Sequence, residues 1–122
     1  MANEKDLLSG VNTPEDINNP TDTEKKHLPV IDAPDSVDMG EPVTVTVEVG
    51  KLLKHPNEPA HHIEWLDLYE DKLYLARADF TGGKVCPKVT FEVSLKKSGT
   101  LRAFACCNLH GVWEGDRKIN VV

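Results

Sequence analysis

The chain has 122 residues and a net charge of −6 at pH 7, from 14 Lys and Arg against 20 Asp and Glu. This length is that of one ordinary domain. Leu, Ile, Val and Phe make up about a quarter of the residues, above the roughly 20% that a chain needs to build a core. The acidic balance argues against nucleic acid as a partner, because binding to phosphates requires a basic surface.

The sequence contains no segment typical of a membrane or secreted protein. The longest stretch without a charged residue spans residues 103–113, which is well short of the ~20 apolar residues that a membrane-spanning helix requires. The start of the chain has no basic segment followed by an apolar one, as a secretory signal would. We therefore expect no membrane association and a cytoplasmic location.

The beginning of the chain differs in composition from the rest. Residues 1–22 are acidic and poor in bulky apolar groups, and they include a turn-forming Asn-Asn-Pro run at residues 18–20. We interpret residues 1–22 as a loosely ordered N-terminal arm and residues 23–122 as the folded domain. No window of useful length favours a helix.

From residue 28 onward, the sequence has the pattern of β-strands. Residues 43–49 alternate apolar and polar side chains, which places four valines on one face of a strand, and residues 89–95 repeat this pattern. Turn signals separate further strand-length segments, which are residues 28–31, 62–69, 73–80, 100–106 and 117–122. About seven short strands predict an all-β fold, an immunoglobulin-like antiparallel β-sandwich.

Several histidines and one cysteine lie beside turn signals, where binding groups concentrate on a β scaffold. His27 precedes a Leu-Pro pair, and His55 and His61 are at the two ends of a proline-stiffened loop. Cys107 and His110 are three residues apart at the end of a strand, so that both can reach one ion. The total of three cysteines is odd, which argues against a disulfide framework and favours thiol or metal chemistry.

This set of donors indicates a metal with an open position. Four imidazoles and one thiolate exceed the closed four-ligand shell of structural zinc. Ligand type does not settle the element, since imidazole suits iron, copper, nickel and zinc. The main alternative is a cupredoxin-like or iron electron-transfer protein without its own substrate. A blue-copper site, however, usually has a weak axial Met just beyond the His, and the two methionines here are Met1 and Met39.

Three segments occur in an order typical of one family: residues 26–31 (KHLPVI), 55–65 (HPNEPAHHIEW) and 107–114 (CNLHGVWE). Together they resemble the superoxide reductases, the neelaredoxin and desulfoferrodoxin family, over about residues 24–122. The resemblance implies one mononuclear iron per chain, cycling between Fe²⁺ and Fe³⁺, that reduces superoxide to hydrogen peroxide. Cysteine first occurs at residue 86, so the chain resembles the single-iron neelaredoxin type.

The resemblance also implies the ligands and partners of this iron. The ligand set is four equatorial imidazoles and one axial thiolate: His27, His55, His61, His110 and Cys107. The neighbouring His62 is expected outside this shell. The resemblance further implies an external electron donor such as rubredoxin, and a homo-oligomer, either a tetramer or a dimer.

The chain departs from the family pattern just before the first ligand. The family order is Glu-Lys-His, in which the Glu caps the sixth position of the ferric iron and the Lys presents a positive charge to superoxide. The order here is Glu24-Lys25-Lys26-His27. Lys26 therefore matches the functional lysine, whereas Glu24 stands one residue too early. The sequence leaves open whether Glu24 reaches the metal or the ferric form holds water, hydroxide or nothing there.

Overall fold

The computed structural model describes residues 6–122, so the first part of the predicted arm lies outside the described residues. Residues 6–122 form nine strands and one short helix. In chain order these are β1 (Val11–Asn12), α1 (Asp22–His27), β2 (Pro29–Asp32), β3 (Ser36–Val37), β4 (Pro42–Val49), β5 (Ile63–Glu70), β6 (Leu73–Asp79), β7 (Lys88–Ser94), β8 (Gly99–Cys107) and β9 (Gly111–Val121). Within this part of the chain, no helix has the length and apolar character needed to cross a membrane.

The strands form two sheets. One has the order β1-β9-β8-β5-β6, with β3 paired to the far end of β9, and the other has the order β2-β4-β7. The longer strands pair antiparallel, while the two-residue strands β1 and β3 run parallel to β9. The predicted all-β sandwich is confirmed, and the seven strands of four or more residues match the predicted number.

The core lies between the two sheets, as the alternation in the sequence requires. In β4, Val45 and Val47 are fully buried, and in β5 Leu66 and Leu68 are fully buried and belong to the same apolar cluster. Burial of each such side chain contributes about 1.5–3 kcal/mol to folding. The core therefore fixes the strands whose ends hold the candidate metal ligands.

One predicted boundary needs correction, and one short helix adds to the predicted strands. The last strand begins at Gly111 rather than at residue 117, because β8 and β9 form a tight hairpin in which Cys107 pairs with Gly111. No window of useful length favours a helix in the sequence, and among residues 6–122 the structure adds one short helix, α1, of six residues. The hydroxyl of Thr21 accepts a hydrogen bond from the Glu24 amide at 3.2 Å, and the Glu24 carboxylate accepts one from the Thr21 amide at 2.8 Å. This capping box initiates the helix.

The described part of the arm contacts the larger sheet. Val11 and Asn12 pair with the start of β9. The side chain of Asn12 is buried and donates hydrogen bonds to the carbonyls of Leu7, at 2.8 Å, and Val112, at 3.0 Å. The division of the chain into an arm and a domain at residue 22 remains a prediction.

Gly115 offers a test of how closely the two sheets pack. A Cβ atom at Gly115 would overlap the carbonyl oxygen of Pro29, so β9 and β2 approach too closely for any side chain. We expect Gly115→Ala to lower the free energy of unfolding by about 1–3 kcal/mol, because the strands must shift apart. Urea denaturation of the metal-free protein measures this change.

The matched control is Gly10→Ala, since a Cβ atom there meets nothing within 4 Å. This variant should unfold at the same urea concentration as the wild type or slightly above it. Equal stability of the two variants would contradict the close approach of β2 and β9.

Candidate metal centre

The β8–β9 hairpin places a buried sulfur next to a turn. Cys107 is the last residue of β8 and is buried, because alternate residues of this strand face the core. Gly111 closes the turn with a φ of 80°, a conformation that suits glycine. Cys106 faces the other way, with its sulfur 3.6 Å from Glu64 Oε1. Burial raises the pKa of the Cys106 thiol to about 11. Cys107 is therefore the hairpin cysteine that faces the candidate site.

Four potential ligand atoms converge at this turn. One nitrogen each from His27, His61 and His110 and the sulfur of Cys107 all lie within 4.8 Å of one another. These residues come from the last turn of α1, the loop before β5 and the β8–β9 hairpin. Donor atoms from three separate segments at such distances form a potential metal site.

The ring of His55 completes a closed circle of imidazoles. Its centroid lies 4.8 Å from those of both His27 and His61. The His110 centroid lies 5.0 Å from that of His27 and 5.1 Å from that of His61. Each ring is therefore in edge contact with two others, and Cys107 Sγ lies 3.7 Å from His110 Nδ1.

Backbone carbonyls fix the tautomers of two rings. His27 Nδ1 lies 2.7 Å from the carbonyl oxygen of Thr23, and His55 Nδ1 lies 2.6 Å from that of Pro56. A carbonyl only accepts, so both Nδ1 atoms donate and each Nε2 carries a lone pair. Such backbone contacts are typical of metal-bound histidines.

The free lone pairs fit a cation. The Nε2 atoms of His27, His55 and His61 are buried and have no hydrogen-bond partner among residues 6–122. A buried polar atom without a partner costs roughly 1–3 kcal/mol. A metal ion would satisfy all three, and imidazole with thiolate suits iron. The residues present therefore fit a mononuclear iron.

Burial favours the neutral form of three of the imidazoles, those of His27, His55 and His61. Burial lowers the pKa of His27 and His61, and it lowers the pKa of His55 to about 4. Repulsion between the neighbouring rings lowers the three pKa values further. Neutral imidazole is the form that binds metals, so these side chains are ready to ligate near pH 7.

The thiol of Cys107 is under two opposing influences. Burial raises its pKa, whereas hydrogen bonds from the backbone amides of Leu109 and His110 lower the pKa by favouring the thiolate. A cation at the adjacent nitrogens would favour the thiolate further, since a coordinating thiol is deprotonated. Cys107 is thus suited to act as a thiolate ligand.

Two residues outside the predicted ligand set, Trp113 and Asn108, hold this arrangement in place. The Trp113 ring stacks on His27 with centroids 4.9 Å apart, and its Nε1 donates to the His110 carbonyl at 3.0 Å. Asn108 accepts a hydrogen bond from the His62 amide at 2.9 Å and donates one to the Ala60 carbonyl. An Asn in a turn and a Trp in a strand are common in β proteins for structural reasons. Neither residue type by itself therefore predicted a contact with the metal ligands.

Lys26 lies at the rim of the site. It lines a cavity of about 930 Å³ that also reaches His55. The lining includes two further lysines, Lys54 and Lys88, and two glutamates, Glu48 and Glu58. The positive charge of Lys26 is close enough to lower the pKa of two of the cluster's histidines. Its role toward a substrate remains a prediction.

Glu24 is held at the start of α1. Its side chain is buried, and its two carboxylate oxygens accept hydrogen bonds from the backbone amides of Thr21, at 2.8 Å, and Glu15, at 3.2 Å. Neither Glu24 nor His62 belongs to the described group of converging ligand atoms. Whether Glu24 ligates iron stays untested, as does the complete set of five ligands.

Residues 19–116 match the family model described as Desulfoferrodoxin. The chain belongs to the desulfoferrodoxin family. Among its desulfoferrodoxin relatives, a putative superoxide reductase of Thermotoga maritima is 38% identical over 115 residues, covering 80% of this chain and 88% of the relative. A neelaredoxin of Megalodesulfovibrio gigas is 34% identical over 113 residues, covering 78% and 87%. The family resemblance of the three sequence segments is confirmed.

Solved structures of desulfoferrodoxin-family proteins share the fold. A superoxide reductase (neelaredoxin) from Ignicoccus hospitalis superposes with a TM-score of 0.80 at 40% identity, covering 92% of this chain and 95% of the other. A superoxide reductase from Nanoarchaeum equitans superposes with a TM-score of 0.73 at 32% identity, covering 90% and 100%. The chain therefore shares the architecture of these two proteins over nearly their whole length.

Proposed function

We propose that this chain is a superoxide reductase with one mononuclear iron. The iron ligands are four imidazoles and one thiolate: His27, His55, His61, His110 and Cys107. The observation that supports this most directly is the circle of four imidazoles beside a buried cysteine, in a chain whose relatives are named superoxide reductase. His55 joins the set because its Nε2 is buried and without a partner among the described residues.

The donor set favours a substrate site over an electron-transfer site. Five donors exceed the four of structural zinc and leave a sixth position for a small anion. A blue-copper site would need an axial ligand such as Met. Met39 is 64% exposed, away from the buried cluster, and Met1 lies outside the described residues. An electron-transfer protein without its own substrate is therefore the weaker alternative.

The reaction adds one electron and two protons to superoxide and releases hydrogen peroxide. Iron bound at these ligands would supply the electron. As a ligand, the thiolate of Cys107 would donate electron density to the iron, as a proximal cysteinate does in haem enzymes. The Thr23 and Pro56 carbonyls hold the rings of His27 and His55, so that their Nε2 atoms need no reorientation.

Lys26 attracts the anionic substrate. The chain as a whole is acidic, with a net charge of −6, but charges beyond a Debye length of ~8 Å are largely screened. The local field is therefore set by the cavity lining, in which three lysines, Lys26, Lys54 and Lys88, outnumber two glutamates, Glu48 and Glu58. Water held near the Lys26 ammonium group is the proposed source of the two protons.

Turnover requires a redox partner, because each superoxide consumes one electron. Iron that has given its electron to superoxide would need to be reduced again before the next turnover, so the proposal requires an external donor. A small electron-transfer protein such as rubredoxin is the proposed donor. Assembly into a homo-oligomer, a dimer or tetramer, and a cytoplasmic location are further predictions of the same proposal.

Product stoichiometry tests the proposed reaction. The iron-loaded protein, supplied with superoxide and an electron donor, should form one hydrogen peroxide per superoxide consumed and release no oxygen. Cys107→Ser should abolish this activity, whereas Cys106→Ser should retain it, since Cys106 faces Glu64 on the outer side of β8. Half as much peroxide, together with an equal amount of oxygen, would instead identify a dismutase.

Salt dependence tests the role of Lys26. We expect Lys26→Gln to lower the second-order rate constant for superoxide roughly tenfold at low ionic strength and to flatten its dependence on salt. The control is Lys118→Gln, because Lys118 is exposed and lies in β9 well beyond the turn that holds His110. Pulse radiolysis at several salt concentrations measures both. Identical salt dependence in wild type and Lys26→Gln would exclude this role.

A further inference from the structure

The segment before the first ligand contacts the metal centre at two places. Residues 7–24 run from beside the β8–β9 turn into the first turn of helix α1, and we name them the N-terminal clasp. Residues 7–18 precede the region that matches the family model. The contacts of Asn12 therefore lie outside the matched region, whereas Thr21 and Glu24 lie inside it.

The first anchor of the clasp is Asn12. Its buried amide donates to the carbonyls of Leu7, at 2.8 Å, and Val112, at 3.0 Å. The Leu7 carbonyl lies directly against Gly111, where a Cβ atom would overlap it. Gly111 follows the ligand His110. The clasp thus covers the turn that positions His110.

The second anchor is Glu24. Its carboxylate accepts hydrogen bonds from the amides of Thr21 and Glu15, and its own carbonyl accepts one from the Leu28 amide at 2.9 Å. These contacts fix both ends of α1, whose last residue is His27. A helix of six residues is far below the ~12–15 at which isolated helices become stable, so its position depends on such contacts.

We propose that the N-terminal clasp positions His27 and His110 for iron binding, and that Glu24 is a positioning residue rather than an iron ligand. Moving the Glu24 carboxylate to the metal would break its hydrogen bonds with the amides of Thr21 and Glu15 and with them the capping box that begins α1. The identity of the metal rests on the proposed function. The positioning role itself rests on the hydrogen bonds of Asn12 and Glu24.

The test measures how fast each variant, loaded with ferrous iron, releases it to a chelator. In Asn12→Asp, a carboxylate oxygen replaces the amide that donates to the carbonyls of Leu7 and Val112, so both hydrogen bonds are lost. Thr21→Ala and Glu24→Ala each remove one side chain of the capping box. All three should release iron roughly tenfold faster or more, as variants of residues that orient metal ligands do. The control is Asn18→Ala on the same segment, whose side chain is exposed and which should release iron at the wild-type rate.

Conservative variants separate positioning from loss of fold. Thr21→Ser keeps the hydroxyl and should restore the wild-type release rate. Glu24→Gln keeps one acceptor oxygen for the Thr21 amide, so its release rate should lie between those of wild type and Glu24→Ala. Its ferric absorption spectrum should match that of the wild type, because no ligand is lost.

Two results would overturn the proposal. One is wild-type iron release from Asn12→Asp, Thr21→Ala and Glu24→Ala. The other is a changed ferric spectrum in Glu24→Gln but not in Thr21→Ala, which would make Glu24 a ligand. The release assay does not involve superoxide, so failure of the proposed function would appear separately, as missing peroxide from the wild type.

Discussion

The organising constraint of this structure is a set of buried ring nitrogens without hydrogen-bond partners. The Nε2 atoms of His27, His55 and His61 lack a partner among the described residues. A ring nitrogen of His27 and one of His61 lie within 4.8 Å of the sulfur of the buried Cys107. Such an arrangement is unfavourable without a cation, because each unmet polar atom costs roughly 1–3 kcal/mol. Burial also keeps the pKa of His55 near 4, so protonation does not relieve the cost near pH 7. Metal binding and folding are therefore coupled.

The sandwich makes this constraint possible because its core fixes the strand ends. β8 and β5 pair with each other along their length and contribute fully buried residues to the core. Their ends hold Cys107 and the loop that contains His61. Helix α1, in the N-terminal part of the chain, adds His27. The capping box holds the start of this helix, and the ring of Trp113 stacks on His27. No local segment contains the site, so it exists only when the domain is folded.

The sequence predicted the features that repeat or lie close together. Alternation at residues 43–49 predicted β4, and the spacing of Cys107 and His110 predicted a pair of donors at a turn. Helix α1 was missed because six residues show no apolar period, although the Thr21–Glu24 spacing of a capping box was present. The contact between Asn12 and Val112 joins residues 100 positions apart, and no local pattern predicts such a contact.

The most direct test of the central claim is X-ray absorption spectroscopy at the iron edge of the loaded protein. The extended fine structure should show one sulfur and four imidazole nitrogens around each iron, and Cys107→Ser should remove the sulfur contribution. A first shell without sulfur, or a closed shell of four ligands, would contradict an open iron centre built from these five side chains.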